Sequence, residues 1–211
     1  MVKMKENIEI TLLNKYKKII GIDEAGRGPL AGPVFVGAVV IESKKEGELL
    51  AKIGKDSKSL SPKQRERRYF QITRNFKYYS NFSTSQLIDE INIFKATELA
   101  MIKLLEKIVE ENANDYYVII DGKFFKLDYN YDCIVKGDQT SPLIGAASIV
   151  AKYERDIYMN QLHELYPNYG FITHKGYPTR KHIESIKKYG IISEHRKTFN
   201  PIKRFIEEGI L

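Results

Sequence analysis

The sequence predicts an α/β fold in which a mixed sheet is flanked by helices and followed by a helical C-terminal part. Three observations carry this expectation. Residues 19–23, Val34–Ile41 and Tyr116–Asp121 are runs of β-branched and apolar residues bounded by Gly, Pro or carboxylates. Between them, residues 94–111 place Met101, Leu104, Leu105 and Ile108 at helical spacing. Beyond Thr179 the remaining signals are helical caps. At 211 residues the chain has length for one sizeable core and only marginally for two. One catalytic domain spanning 1–211 is therefore expected, with the sheet in about 19–170 and a basic helical part in about 171–211.

Taken in order, residues 19–23 form a strand that ends in a carboxylate, and Gly26, Gly28, Pro29, Gly32 and Pro33 break the chain after it. Val34–Ile41 never alternates with polar residues, so it reads as a strand buried on both faces. Ser61, Pro62 and Gln64 have the pattern of an N-cap, a first-turn proline and a capping-box partner at the head of a basic helix. A strand over Tyr116–Asp121 follows the core helix, and a shorter fragment at residues 134–135 leads through Gly137 to Asp138. Ser141 and Pro142 open a helix whose Gly145, Ala146, Ala147 and Ala151 allow close approach to a sheet. Thr179 and Asn200 read as caps of two further helices ending before Gly190 and Gly209.

Composition narrows the setting. The N-terminus has neither the apolar core of a signal peptide nor an acid-poor transit composition, and no run of about eighteen apolar residues could span a bilayer. A lone Cys133 cannot close an internal disulfide. A cytoplasmic protein without membrane association is expected, and no protein partner is evident. The net charge is +7, yet residues 52–68 and 174–204 hold more than all of it, leaving an acidic remainder. Basic surfaces flanking acidic positions suit an enzyme that grips phosphates with one face and holds cations with another.

The acidic positions recur in one context, a hydrophobic strand running into a carboxylate near glycine: Asp23 and Glu24 before Gly26, Asp121 before Gly122, and Asp138 after Gly137. Strand ends are where active sites of α/β sheets gather. Converging carboxylates repel one another and so call for Mg²⁺ or Mn²⁺, which take oxygen ligands. Adjacent strand residues point to opposite faces, so Asp23 and Glu24 share a site only if the backbone leaves strand geometry there.

The segment Gly21-Ile-Asp-Glu-Ala-Gly-Arg-Gly-Pro-Leu-Ala-Gly-Pro-Val34 closely resembles the signature of the ribonuclease HII family. The resemblance continues in order through Asp56-Ser-Lys58, Leu60-Ser61, Arg65-Glu66, Asp121-Gly122 and Lys136-Gly-Asp138. It extends to the 146–152 segment with Arg155 and Asp156, His174-Lys-Gly-Tyr177, and His195-Arg196 before Phe199, covering about residues 19–200.

It implies a ribonuclease H-like fold and endonucleolytic hydrolysis of the RNA strand of RNA/DNA hybrids. Single ribonucleotides embedded in duplex DNA would be cut on their 5′ side, leaving 3′-hydroxyl and 5′-phosphate ends. Two divalent ions, Mg²⁺ or Mn²⁺, would be held by Asp23, Glu24, Asp121 and Asp138. Gly26, Arg27 and Gly28 would read the 2′-hydroxyl, and Tyr177 would lie against the sugar at the RNA to DNA junction. Glycines suit that task because they let backbone groups approach the hydroxyl that separates RNA from DNA. The family's ribonuclease HIII relatives carry an extra N-terminal domain, for which the stretch before the first strand is too short.

Lys58 and Lys152 are candidate phosphate contacts, and Ser148, Lys152 and Arg155 share one helical face, Ser148 and Lys152 with the substrate. Asp156 reads equally as an outer acid of the site or as an i, i+4 partner of Lys152. His163 and His182 match no site and are expected at the surface. Two rival readings stand: histidine acid-base cleavage by His174 and His195, which leaves the four carboxylates unexplained, and a non-catalytic nucleic-acid-binding module, which does not explain carboxylates at strand ends.

Overall fold

The computed structural model describes residues 8–53, 60–109, 112–123 and 125–211. In chain order the elements are α1 (Ile8–Leu12), β1 (Lys18–Ala25), β2 (Val34–Ile41), α2 (Lys44–Ile53), α3 (Pro62–Asn75), β3 (Lys77–Ser83), α4 (Ser85–Ile91), α5 (Ile93–Ile108), β4 (Tyr116–Asp121) and β5 (Tyr131–Ile134). There follow α6 (Gly137–Thr140), α7 (Pro142–Leu165), α8 (Phe171–His174), α9 (Arg180–Tyr189) and α10 (Ile202–Glu207). The sheet has the order β3-β2-β1-β4-β5. β1, β2 and β3 form an antiparallel meander, while β4 runs parallel to β1 and β5 parallel to β4. Among the described residues, no helix is long and apolar enough to cross a membrane.

The period of two along each strand divides the core between two faces. Ile20, Ile22, Val36, Val118 and Ile120 pack with Met101, Leu104, Leu105 and Ile108 of α5. Ile19, Val39, Ile41 and Ile119 pack with Leu143, Ile144 and Val150 of α7. All eight residues of β2 are buried, as its uninterrupted apolar run requires. A third cluster joins Leu30 and Ala31 of the β1–β2 loop to Met159 and Leu162 of α7, Phe171, Ile186, Ile202 and Phe205. The C-terminal helices are thereby fastened to the loop that leaves β1.

Close approach of α7 to the sheet depends on two glycines. A Cβ on Gly37 would stand 2.5 Å from the Ala147 carbonyl oxygen, and one on Gly21 would stand 2.6 Å from the Leu143 side chain. Since the first obstacle is helix backbone, Gly37→Ala is expected to destabilise the protein by about 1–3 kcal/mol through overpacking. Urea unfolding measures this, and a change within about 0.5 kcal/mol would mean that α7 shifts freely on the sheet.

The caps expected at Ser61, Ser141 and Thr179 are present, Ser61 with its full capping box. Other expectations are corrected. α5 stops at Ile108, where the Val109 N–H donates to Leu105 O, short of residue 111. β5 lies at Tyr131–Ile134 instead of 134–135, because pairing with β4 begins at Val118↔Tyr131 and Lys136 turns into the left-handed region at φ 55°. Asn200 is not a cap: Pro201 holds the N-cap position of α10 without a side-chain cap bond. His182 is fully buried. β3, α2 and α4 were not anticipated, β3 because an edge strand with the sequence KYYSNFS buries too little to show an apolar alternation.

Candidate active site

Parity along the strands sets the site. Asp23 continues the row of Ile19 and Gly21 toward α7, and Asp121 continues the row of Ile119 on the adjacent parallel strand, where Ile22 pairs with Ile120. The two carboxylates therefore sit side by side at the C-terminal ends of β1 and β4. Asp121 Oδ1 accepts the Gly137 N–H at 2.6 Å, which draws the start of α6 and its Asp138 to the same edge.

The expected break in strand geometry between Asp23 and Glu24 is absent, since β1 stays paired with β2 through Ala25↔Phe35. Instead β1 outruns β4, with which its pairing stops at Ile22. At that open edge Glu24 stands close enough to Asp121 for the Asp121 charge to raise its carboxyl. The backbone turns only at Gly26, φ 95°.

The electrostatics match a cluster of crowded anions. Burial, then the charge of Glu24, push the Asp23 carboxyl up to about 8, with Asp121 adding to the rise and the Ser148 hydroxyl and Lys152 opposing it. Burial raises Glu24 as well, against its bond from Arg27 Nη1 to Oε1 at 3.1 Å. Asp121 is raised by burial and by Asp138, against its backbone bond from Gly137. The other Glu24 oxygen, Oε2, is buried and has no hydrogen-bond partner among the described residues. An orphaned carboxylate oxygen beside two raised carboxyls is what an oxygen-liganded cation would relieve. Among the described residues no three of these groups already close a cage, so an ion would draw them inward and compete with Arg27 for Glu24.

Beside the carboxylates runs a cleft of about 520 Å³ lined by Glu24, Gly26, Arg27, Gly28, Lys152 and Tyr177, among others. A Cβ on Gly28 would lie 3.6 Å from the Tyr177 ring, so these two expected substrate contacts face one another. Tyr177 is 48% exposed and open to stacking. Ser148, expected at the substrate, is buried at 1% exposure against Asp23, and Lys152 Nζ donates to its Oγ at 2.7 Å. Lys58 lies outside the described residues. Asp156 pairs with Arg65, not with Lys152, and stands in the same cleft.

Two arginines that sequence reasoning did not assign roles prove central to the loop. Arg196, fully buried, donates to the carbonyls of Gly26, Arg27 and Gly32, and Arg155 donates to those of Ala31, Pro33 and Lys175. The Gly- and Pro-rich loop forms no ladder of its own, so its inward carbonyls need such donors; that unmet demand was the available signal. His174 and His195, the pair of the acid-base rival, are buried, and burial pushes His195 down to about 3. His195 stands in the C-terminal cluster, and His174 lines the cleft with both ring nitrogens already committed, to Tyr169 O and to the Gly176 N–H.

The comparisons with known proteins converge on one family. The ribonuclease HII family model matches residues 20–202. A ribonuclease HII of Thermotoga petrophila is 43% identical over 200 residues, covering 93% of this chain and 80% of the relative. That of Francisella tularensis is 44% identical over 191 residues, covering 90% and 99%. The crystal structure of ribonuclease H2 from Pyrococcus horikoshii superimposes with a TM-score of 0.72 at 29% identity, covering 92% of this chain and 98% of that one. The chain belongs to the ribonuclease HII family and is a metal-dependent endonuclease of the ribonuclease H type 2 class.

Proposed function

We propose that this endonuclease cuts on the 5′ side of ribonucleotides in duplexes, including a single ribonucleotide embedded in DNA, with two Mg²⁺ or Mn²⁺ ions held by Asp23, Glu24, Asp121 and Asp138. The observation that carries the proposal is the buried, unpartnered Glu24 Oε2 among raised carboxyls at the mouth of the Gly26–Tyr177 cleft. Bound divalent ions supply an acidified water and neutralise the leaving oxygen, so no side-chain base is required.

The chain's own residues do the rest. Ser148 and Lys152 orient the Asp23 carboxylate from beneath. Arg155 and Arg196 consume the inward carbonyls of the 26–33 loop, which leaves the backbone of Gly26, Arg27 and Gly28 facing the cleft to bond a 2′-hydroxyl. A site built to bond that hydroxyl leaves its own polar groups unpaired on DNA, which penalises DNA strongly. Tyr177 stacks on the sugar that follows. The hydroxyl is a recognition mark and not the nucleophile. Lys58 and Lys152 contact phosphates, and the basic C-terminal helices extend that surface along the duplex.

The test is product-end analysis on two matched duplexes, one with a single ribonucleotide and one all DNA, with and without chelator. Cleavage 5′ of the ribonucleotide giving 3′-hydroxyl and 5′-phosphate ends, abolished by chelator, is expected, with the DNA duplex intact. Cyclic-phosphate ends would overturn the mechanism, and cutting of long hybrids alone would overturn the junction reading. Binding should also weaken by roughly an order of magnitude or more between 50 and 200 mM salt, as counterion release from several phosphate contacts requires. A flat salt response would reduce the basic segments to solvated faces.

A further inference from the structure

Three of the four histidines, His174, His182 and His195, meet in the buried interior behind Tyr177, a cluster the cleavage chemistry does not use. Their hydrogen bonds fix which ring nitrogen carries each proton. Ile192 N–H donates to His195 Nδ1 at 3.0 Å, so that nitrogen is bare and the proton of the neutral ring sits on Nε2. His195 Nε2 meets His182 Nε2 at 3.2 Å, and with the proton on His195 the His182 nitrogen must accept. The proton of His182 is then on Nδ1, which stands 3.0 Å from the Tyr177 carbonyl oxygen and donates to it. The chain of donors runs in one direction, from the Ile192 amide through two rings to Tyr177.

We infer that His195 and His182 are positioning residues that hold the Tyr177 backbone, and through it the aromatic ring, against Gly28. The inference rests on the reading of Tyr177 as a sugar contact. His174 completes the hold: its carbonyl accepts the Tyr177 N–H at 2.9 Å, its Nδ1 accepts the Gly176 N–H, and its Nε2 donates to Tyr169 O. Its ring stacks on that of His182 with centroids 4.5 Å apart. Both backbone groups of Tyr177 are thus engaged, the carbonyl also accepting the Thr179 N–H at 2.8 Å.

Such anchoring answers a specific need. Lys175 and Gly176 are consecutive residues at positive φ, 51° and 84°, and a non-glycine residue there is strained and persists only where its surroundings fix it. A Cβ at Gly176 would meet Ala31 O at 2.5 Å, and Gly176 O accepts the Leu30 N–H at 2.8 Å. The Tyr177 segment and the 26–33 loop are therefore one assembly, and the rings fix its height above the cleft. His182 and His195 are 0% and 1% exposed, so without the His182 donor the Tyr177 carbonyl keeps the Thr179 N–H alone. Burial favours their neutral forms, which the donor chain needs.

Long-range ¹H–¹⁵N NMR of the histidine rings in the intact protein at neutral pH tests the relay. It should find His195 neutral with Nε2–H and His182 neutral with Nδ1–H; a charged ring or the opposite tautomers would overturn it. Kinetics on the single-ribonucleotide duplex test the positioning. His182→Leu should lower kcat/KM about tenfold, the worth of one buried hydrogen bond, whereas His182→Asn, whose amide nitrogen can replace Nδ1–H, should stay within about threefold. In a Tyr177→Ala background the leucine substitution should add less than about twofold. An unchanged tenfold penalty there would make the histidines merely structural. Should Tyr177→Ala alone leave cleavage intact, the sugar-contact reading falls and the positioning role with it, whereas wrong tautomers remove the relay alone. If the leucine variant does not fold, the wild-type tautomers and the asparagine variant still decide.

Discussion

Asp121→Asn should fold normally and lose cleavage by at least about 100-fold, roughly 3 kcal/mol or more of transition-state stabilisation. The amide keeps the shape of the side chain and can still accept the Gly137 N–H, but it removes the negative charge that a divalent ion needs. The metal-free variant should be more stable than wild type at neutral pH. The sign follows from the raised carboxyls: Asp121 lies above its ordinary value, and Asp23 is pushed up to about 8. A carboxyl raised on folding contributes stability below its unfolded value near 3.8, and that contribution is lost as pH rises through the folded value. Metal-free wild type should therefore weaken between about pH 4 and pH 8, Asp121→Asn should weaken less, and saturating Mg²⁺ should restore only the wild type strongly. Thermal unfolding with and without Mg²⁺ reads all three. Activity within a few-fold of wild type at saturating metal would sink the ligand assignment.

Arg196→Met should be the most destabilising single change outside the sheet. It keeps much of the apolar stem that fills the space near Phe199, over whose ring the guanidinium lies at 5.0 Å, but deletes every bond to Gly26 O, Arg27 O and Gly32 O. Leaving buried carbonyls bare costs about 1–3 kcal/mol each, partly offset by no longer burying a charge, for a net loss of about 2–4 kcal/mol. In a chain of this length that corresponds to a fall in melting temperature of roughly 5–15 °C. Arg196→Lys should recover little, because one ammonium cannot span carbonyls that a planar five-donor fork reaches. Cleavage of the single-ribonucleotide duplex should fall further than stability alone explains, as the loop beside the carboxylates loosens. A melting temperature within 2 °C of wild type would show that the loop is held by its apolar contacts.

Much of this architecture was legible in the sequence for identifiable reasons. The three long strands and α5 announced themselves because their side chains bury on fixed faces at periods of 2 and 3.6 residues. Asp23 and Asp121 could be picked out because a carboxylate at the end of a buried strand has no packing reason to be there. The rest lay in tertiary terms. Glu24 reaches the site because β4 ends where β1 continues, a relation between strands whose paired residues are 98 positions apart, which no local spacing encodes. Helical spacing groups Ser148 with Lys152 and Arg155 but does not show that Ser148 is pressed on Asp23. The histidines at 174, 182 and 195 follow no helical or strand period, and only the folding back of α9 and the segment after it brings their rings together. Arg155 and Arg196 stand in the sequence motifs without a role because arginine is rarely buried, and here the exception is driven by carbonyls of an irregular loop.

The Arg196 bond to Gly26 joins residues 170 positions apart. During synthesis the sheet and its carboxylates emerge long before that arginine does, so a nascent chain carries the acidic cluster while the glycine loop beside it is still untied. One donor that shapes the proposed ribonucleotide reader is thus made well after the loop it holds. On the proposed reading, a chain that stopped short of Arg196 would lack the bonds that hold the loop meant to tell RNA from DNA.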